Sequence, residues 1–537
     1  MMRTIGRPHL ADFNAALLVA LVGIPQCLAY AMLAGLPPMY GLVTAAIPGL
    51  IAAVLGKSPA LTVGPTNTTG LVILTALIPW ANQPEALLTA MATLAFLAGL
   101  SRLVIVLLKA ERLFDFVPEA VMVGFATGAA VIIALMQIDE LLGPPFQGVR
   151  NVVDEVRMLS HFTGSALNIP SLVLGSLALV AVVLGHKFAP RWPIPLLVLV
   201  VSMAWVWFDL ADFGHAWVTV GDSSVVADGW PSFNHRLPSW HMIQTLIVPG
   251  FAVAFIGSLE LIVTLRNRQE HRLLRRELGS QGCANMVGSF IGAFPASTSL
   301  TRSVLLDLGG ARTRWAPFLA ALMLIPIILY GAAAVRSIPL PVISGLLIAT
   351  ALSMLKPAAI KQMLTVNHQT RILFLVTLIS TLVLTFHEAI LLGSMLGIML
   401  FLFQTSQTKL MPFVVDANGG LSTPSDRDAP SQPRLIQISG SLYFAAARQL
   451  PERLNELLSD THHLVLDLSH AHHCRVAAVQ ALLVFLAECT LRGVVVEISG
   501  ASAELKLLTH QMGVRLPWSE KRLAQTLVTS KVPETSG

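Results

Sequence analysis

The sequence predicts a mainly α-helical polytopic membrane protein of two inverted seven-segment repeats, followed by a small α/β domain. Three observations predict it. Of 537 residues, 54% are hydrophobic and only 12% charged, at a mean hydropathy of +0.71, which is more apolar than soluble chains are. Apolar stretches of membrane-crossing length fall into two sets of seven, and an odd number per set means that the second set enters from the opposite side. The third segment of each set opens on a proline-led polar break: Val63-Gly64-Pro65-Thr66-Asn67-Thr68-Thr69-Gly70 in one, Phe294-Pro295-Ala296-Ser297-Thr298-Ser299-Leu300-Thr301-Arg302 in the other.

The first set is expected near 12–34, 38–55, 65–80, 85–108, 114–138, 169–186 and 193–209. The second is expected near 242–264, 279–294, 297–309, 315–335, 339–355, 371–386 and 388–404. Basic residues supply an independent test, because Lys and Arg gather on the cytoplasmic side. Arg3 and Arg7 precede the first segment, Lys57 follows the second, Arg102, Lys109 and Arg112 flank the loop after the fourth, and Lys187 and Arg191 follow the sixth. In the second half Arg266, Arg268, Arg272, Arg275 and Arg276 follow the eighth, Arg312 and Arg314 the tenth, Lys356, Lys361 and Arg371 the twelfth, and Lys409 the last. The intervening loops near 139–168 and 210–241 carry Asp139, Glu140, Asp154, Asp212, Asp222 and Asp228 instead. Both termini are therefore expected in the cytoplasm. The formal net charge of +5 is explained by these orientation-setting loops, and no nucleic-acid partner is expected. The N-terminal Arg residues, apolar run and Ala29-Tyr30-Ala31 imitate a secretory leader, but apolar sequence resumes at once, so no cleavage is expected.

Transmembrane transport segments are thus assigned to 1–407, a polar Gly-, Ser-, Pro- and Asp-rich linker to 408–433, and a cytoplasmic α/β domain to 434–530. In that domain Leu435–Ser439, Leu464–Leu468 and Val494–Ile498 read as strands, and Ala445–Leu458 and Val476–Leu491 as helices. Cys27, Cys283, Cys474 and Cys489 have no metal or redox spacing, and no cofactor is expected. His470-Ala471-His472-His473-Cys474 is too compressed for one tetrahedral metal site and reads as loop histidines. No catalytic triad, phosphate loop or dinucleotide fingerprint is present, so the chain is not read as an enzyme.

The chemistry is expected at the two breaks. Pro followed by hydroxyl residues reads as a helix start, whose open N–H groups and positive dipole end face an anion. Thr66 and Asn67 in the first break, and Ser297, Thr298 and Ser299 in the second, are the candidate ligands. Glu260 lies deep in the eighth segment, where a charge costs at least about 2.5 kcal/mol unless paired or wetted. With Thr264 one turn on, it suits a proton relay or a small cation; the plain alternative is a structural ion pair with Arg302. Arg302 either faces the site or snorkels to the cytoplasmic surface. Gln26 and Tyr30 share a face of the first segment and either line the site or fill a helix contact.

These residues resemble the SulP anion transporters, solute carrier family 26. The resemblance rests on Val19-Ala20-Leu21-Val22-Gly23-Ile24-Pro25-Gln26, Ala29-Tyr30-Ala31, Leu33-Ala34-Gly35-Leu36-Pro37-Pro38 and Val63-Gly64-Pro65-Thr66. It extends to Glu277 through Asn285, to Ser299-Leu300-Thr301-Arg302 and to Gly310-Ala311-Arg312-Thr313. The tail resembles that family's STAS domain through Gly440-Ser441-Leu442-Tyr443-Phe444 and Val465-Leu466-Asp467-Leu468-Ser469. The resemblance implies core and gate domains drawn from both repeats, an elevator-like cycle, and STAS-associated homodimers. It also implies that Gln26, Tyr30, Thr66, Ser299, Thr301 and Arg302 border the anion, and that Glu260 stands where bacterial members place a coupling carboxylate. Two positions depart from it: Leu306 stands where many bacterial members have Asn, and Cys474-Arg475-Val476 where many STAS domains have an acid and a Ser or Thr.

The expected activity is secondary active transport of sulfate, bicarbonate or a dicarboxylate across a bacterial-type inner membrane, with H+ favoured over Na+ as the coupling ion. Sodium-coupled bicarbonate symport or anion exchange is the alternative within that class. A nucleobase permease of similar architecture, and an anion channel or regulatory membrane protein, are the alternatives outside it.

Overall fold

A computed structural model describes residues 8–142, 168–188, 192–207, 218–223, 230–231, 237–406, 408–415, 421–422, 434–442, 444–458, 462–472 and 474–519. Most of the acidic loops near 139–168 and 210–241, Arg3, Arg7, Arg191, most of the expected linker, Tyr443, His473 and residues 520–530 lie outside them. The chain divides into two compact units, Met1–Gly397 and Ile398–Gly537.

In the first unit six described helices have the length and apolarity to cross a membrane, and shorter apolar helices stand beside them. The first helix is Leu10–Leu33, followed by Met39–Leu55, a half-helix Asn67–Leu77, Pro84–Leu107 and Glu119–Met136. The second half runs through Trp240–Asn267, Leu274–Ser289, a half-helix Leu300–Leu308, Trp315–Leu322 with Leu324–Tyr330, Leu340–Met354, His368–Val383 and Phe386–Ser406. Packing follows the repeat. Leu10–Leu33 packs on the second half-helix and on Trp315–Leu322, while its counterpart Trp240–Asn267 packs on the first half-helix and on Pro84–Leu107. Met39–Leu55 and Leu274–Ser289 pack on each other, as partners across a local two-fold must. A second bundle pairs Glu119–Met136 with His368–Val383, and Leu340–Met354 with Ile169–Phe188, again in matching positions. Leu177, Val180, Val183 and Leu184 stay exposed on Ile169–Phe188, the surface that lipid would cover.

Each half also braces a loop of the other. Asp12 accepts from the backbone N–H groups of Arg312 and Thr313 at 2.7 and 2.9 Å. Glu277 accepts from those of Lys57 and Ser58 at 2.5 and 2.9 Å. Pro84–Leu107 and Leu274–Ser289 approach until a Cβ on Gly99 would lie 2.7 Å from the Gly282 carbonyl oxygen, so backbone meets backbone with no room for a side chain.

Several expectations are corrected. The segment placed at 279–294 is the helix Leu274–Ser289, because the chain turns at Gly292 (φ +86°) to enter the break. The segment at 315–335 is divided after Leu322, whose carbonyl cannot be met by Pro326, which has no N–H. The loop holding Lys361 is a short helix, Pro357–Thr365, opened by proline and packed on His368–Val383. Arg102, counted among loop charges, is wholly buried within Pro84–Leu107.

The second unit contains a sheet of order β4-β3-β5-β6-β8, formed by Leu421–Ser422, Lys409–Val415, Arg434–Ser441, His463–Asp467 and Val495–Ser499, with β7 (Ala471–His472) on the end of β5. β5, β6 and β8 are parallel, and β3 runs antiparallel to β5. Residues 409–415, read as linker, are therefore sheet. Pro412 argues against a strand, but among the described residues β4 pairs with Val414 and Val415 alone, so no described strand asks a second donor of Pro412. Helices Phe444–Glu456 and Val476–Leu491 pack on each other, and Leu450, Leu482 and Phe485 join Ile436, Ile438, Leu464 and Leu466 in the core. Burial pushes the Cys489 thiol up to about 11 and the Cys474 thiol upward, which leaves both unreactive.

The helix crossing at Gly99 is tested by substitution. Gly99→Leu is expected to cost about 1–3 kcal/mol through overpacking. Gly279→Ala, where an added Cβ meets nothing within 4 Å, should hold or raise stability by helix propensity. Thermal midpoints of the solubilised protein by gel filtration check the contrast; equal midpoints would contradict the close crossing.

Candidate functional site

The two breaks, more than two hundred residues apart in sequence, meet. β1 (Val63–Gly64) and β2 (Ser297–Thr298) pair antiparallel, with Val63 opposite Thr298 and Gly64 opposite Ser297. Each two-residue strand leads into a half-helix, so the half-helices start side by side at the junction and run away from it in opposite senses. Their first-turn N–H groups have no intrahelical partners and point back to the junction.

Polar side chains from neighbouring helices hold the non-helical backbone. Asn285 donates to the Ala296 carbonyl at 3.0 Å and accepts from its N–H at 2.8 Å. Thr44 accepts from the Phe294 N–H at 3.0 Å. Ser299 N–H donates to the Thr62 carbonyl at 3.0 Å, and Ser303 accepts from the Thr62 N–H at 3.1 Å. Ser299 is the N-cap of Leu300–Leu308, its hydroxyl accepting from the Arg302 N–H. The helix thus begins three residues later than expected, because Ser297 and Thr298 are taken by the pairing with the first break and Ser299 is the cap.

Glu260 sits against both breaks. Its Oε2 accepts from Ser297 Oγ at 2.6 Å and from Thr66 Oγ1 at 3.2 Å, and its Oε1 accepts from Thr68 Oγ1. Thr66 is also joined to Thr69 at 2.8 Å. Thr264 is not part of this cluster: its hydroxyl donates to the Glu260 backbone carbonyl at 2.7 Å, the intrahelical bond open to a Thr one turn on. Thr298 is engaged elsewhere, accepting from Gln281 Nε2 at 2.6 Å.

Arg302 is buried and turned inward, which excludes snorkelling. It donates to the Pro65 carbonyl at 2.8 Å and to Cys27 Sγ at 3.0 Å, leaving its Nε without a partner. No ion pair with Glu260 occurs among the described residues; the guanidinium instead joins the second half-helix to the first break. Only glycine fits beside it, since a Cβ on Gly64 would stand 2.9 Å from Arg302 Nη2. Tyr30 is buried in electrostatic reach of Arg302 and Glu260. Gln26, one turn earlier, has a buried Oε1 with no partner.

A void of about 20 Å3 lies on the Arg302 side, bordered by Gly23, Gly49, Thr62 and Val63. It has room for about one water. Asn67 and Thr68 are half-buried and Thr301 is exposed. Of the nine residues expected at the anion, Thr66, Asn67, Ser297, Ser299, Arg302, Gln26 and Tyr30 thus lie at or beside the junction; Thr298 points into the supporting helix and Thr301 outward.

Sequence reading missed the roles of Thr68, Gln281, Asn285 and Arg102. Arg102 donates through Nη1 to Gln281 Oε1 at 3.0 Å and to the Ala296 carbonyl at 2.9 Å. The signal available for Gln281 and Asn285 was two amides four residues apart in a span-length stretch. Thr68 was one hydroxyl in a run of them.

With this geometry in view, the similarities to known proteins become informative. The chain matches the Sulfate permease family over residues 10–377 and the STAS domain over residues 426–522. It is 24% identical over 514 residues to the bicarbonate transporter BicA of Picosynechococcus sp. (strain ATCC 27264 / PCC 7002 / PR-6), spanning 92% of this chain and 89% of that one. It is 24% identical over 534 residues to sulfate transporter 4.1, chloroplastic, of Arabidopsis thaliana, spanning 94% and 77%. Its fold superposes on the inward-facing structure of murine solute carrier 26 family member A9, an anion transporter, with a TM-score of 0.82 at 18% identity, covering 95% of this chain and 88% of that one. The chain belongs to the sulfate permease family, as a transporter with a C-terminal STAS domain.

Proposed function

We propose that the protein is a secondary active transporter that carries a small oxyanion, of the sulfate, bicarbonate or dicarboxylate class, together with a proton. One observation carries this reading: two half-helix starts, a carboxylate and two buried arginines converge on one junction. Sulfate and bicarbonate enter because named relatives carry them, and because helix N-termini recognise charge and size rather than one chemical identity.

The coupling follows from hydrogen-bond bookkeeping. While Glu260 is ionised it holds the protons of Ser297, Thr66 and Thr68. A protonated carboxyl accepts fewer bonds and becomes a donor itself, so those hydroxyls are released to an anion at the helix starts. Protonation also removes a negative charge that opposes the anion. Proton and anion then bind together, and the core bundle carrying the junction moves against the second bundle as an elevator. Basic loops favour a bacterial-type inner membrane with both termini and the STAS domain in the cytoplasm, and the STAS domain supports a homodimer.

Uptake in proteoliposomes with a panel of labelled anions, under imposed proton or sodium gradients, tests the reading. An inward proton gradient is expected to drive accumulation above equilibrium; equilibration alone would indicate a channel, and accumulation driven only by sodium would reassign the coupling ion. Glu260→Gln is expected to abolish the response of uptake to pH while anion exchange persists. Ser299→Ala with Arg302→Ala is expected to weaken anion affinity by roughly ten- to a hundredfold, the loss of a charged hydrogen bond, and an unchanged half-saturation would remove these side chains from the site.

A further inference from the structure

The proposed coupling uses Glu260 and the hydroxyls around it, and leaves one buried charge without a task. Arg102 is wholly buried within a span-length helix. Its Nη1 is satisfied by Gln281 and by the Ala296 carbonyl of the second break. Its Nε and Nη2 have no hydrogen-bond partner. A guanidinium desolvated in this way, with two of its three nitrogens unsatisfied, is costly unless a nearby negative charge compensates.

The compensating charge is Glu260. A Cβ built on Gly257 would lie 2.0 Å from Arg102 Nη2 and 2.6 Å from Ser297 Oγ, so the unpartnered nitrogen and the hydroxyl that donates to Glu260 converge on the same point of the Glu260 helix. Gly257 is three residues before Glu260, on the same helix face. Ser297 Oγ is in turn 2.6 Å from Glu260 Oε2, so Arg102 Nη2 and the carboxylate flank the same hydroxyl. Only glycine at 257 lets the guanidinium come this close to the helix backbone.

We propose that Arg102 is a positioning residue for Glu260: it supplies a fixed positive charge that favours the ionised form of this carboxylate, and so shifts the pH at which the junction takes up its proton. The inference rests on the proton-coupled reading of the site and adds to it a named charge. Around Glu260 the elements packed on its helix contribute Arg102 from Pro84–Leu107 and the neutral hydroxyls of Thr66, Thr68 and Ser297 from the two breaks, while Arg302, on the second half-helix, donates to the Pro65 carbonyl of the first break. With Glu260 ionised, Arg102 and Arg302 leave the junction one positive charge in excess; once Glu260 is protonated the excess is two. The step is a single proton transfer from solvent to a Glu260 carboxylate oxygen, and its electrostatic result is a stronger hold on an anion at the half-helix starts.

Infrared difference spectra of the full-length protein in lipid, titrated with pH, would read Glu260 directly, its carboxylic-acid band being the one that Glu260→Gln removes. In Arg102→Gln the midpoint of that band is expected to move to more alkaline pH by about one to three units, the effect of an opposite charge at close range. Arg102→Lys, which keeps the charge, is expected to restore most of the shift. An unmoved midpoint in Arg102→Gln, or an equal displacement in Arg102→Lys, would overturn the proposal. Should Arg102→Gln yield no folded protein, Gly257→Ala in a Ser297→Ala background displaces the guanidinium while retaining it; a further alkaline displacement relative to Ser297→Ala alone is expected, and none would overturn the proposal. The pH profile of proteoliposome uptake separates the two readings. A band that moves without any pH response of wild-type uptake defeats proton coupling and leaves the role of Arg102 standing, whereas pH-driven uptake with a band indifferent to Arg102 does the reverse.

Discussion

The structure depends on satisfying non-helical backbone at a depth where water is absent. A break in a membrane helix exposes N–H and C=O groups, each of which costs several kcal/mol in hydrocarbon if left unmet. Here each break is the other's partner. Two strand residues pair with two, and the flanking groups are met by Asn285, Thr44, Ser303, Arg102 and Arg302. Helices from both halves must surround the junction to deliver these groups, and this accounts for the reciprocal packing of the first helix of each half on the half-helix of the other.

The same arrangement concentrates positive potential. Two half-helix starts each contribute roughly half an elementary charge, and Arg102 and Arg302 add two more, against the single carboxylate of Glu260. Both arginines are spent first on backbone carbonyls, those of Ala296 and Pro65. Structure and electrostatics are therefore not separable here: the groups that hold the breaks open are also those that make the site attractive to an anion. Glycine marks the points of closest approach, Gly64 beside Arg302 and Gly257 beside Arg102.

The braces between the halves extend this logic beyond the site. Asp12 and Glu277 each cap backbone N–H groups of a loop in the opposite half, so the repeats are tied at their edges as well as at their centre. The α/β unit is built differently. Its parallel strands are covered by helices whose apolar residues share one core, and its buried Asp467 is met by the Ser469 N–H and hydroxyl and by Gln437 Nε2.

The sequence by itself determined the membrane class, the existence of two repeats and the location of both breaks, and it singled out Glu260. Each of these is a local signal: apolar length, a proline beside hydroxyls, one acid in an otherwise apolar run. Three strands and two helices of the α/β unit were legible for the same reason; β3, which holds Pro412, the two-residue β4 and β7, and the helix Ala503–Gln511 were not. What only tertiary structure decided is the identity of partners. Ser297 and Thr298 became strand rather than helix because Gly64 and Val63 lie opposite them, and the Thr264 hydroxyl gives its proton to its own helix rather than to the Glu260 carboxylate. Arg102 looked like a loop charge near a helix end, while the groups that make it a buried one, Gln281 and Ala296, stand 179 and 194 residues away. Burial and pairing are properties of space, and no periodicity along the chain encodes which distant residue will supply them.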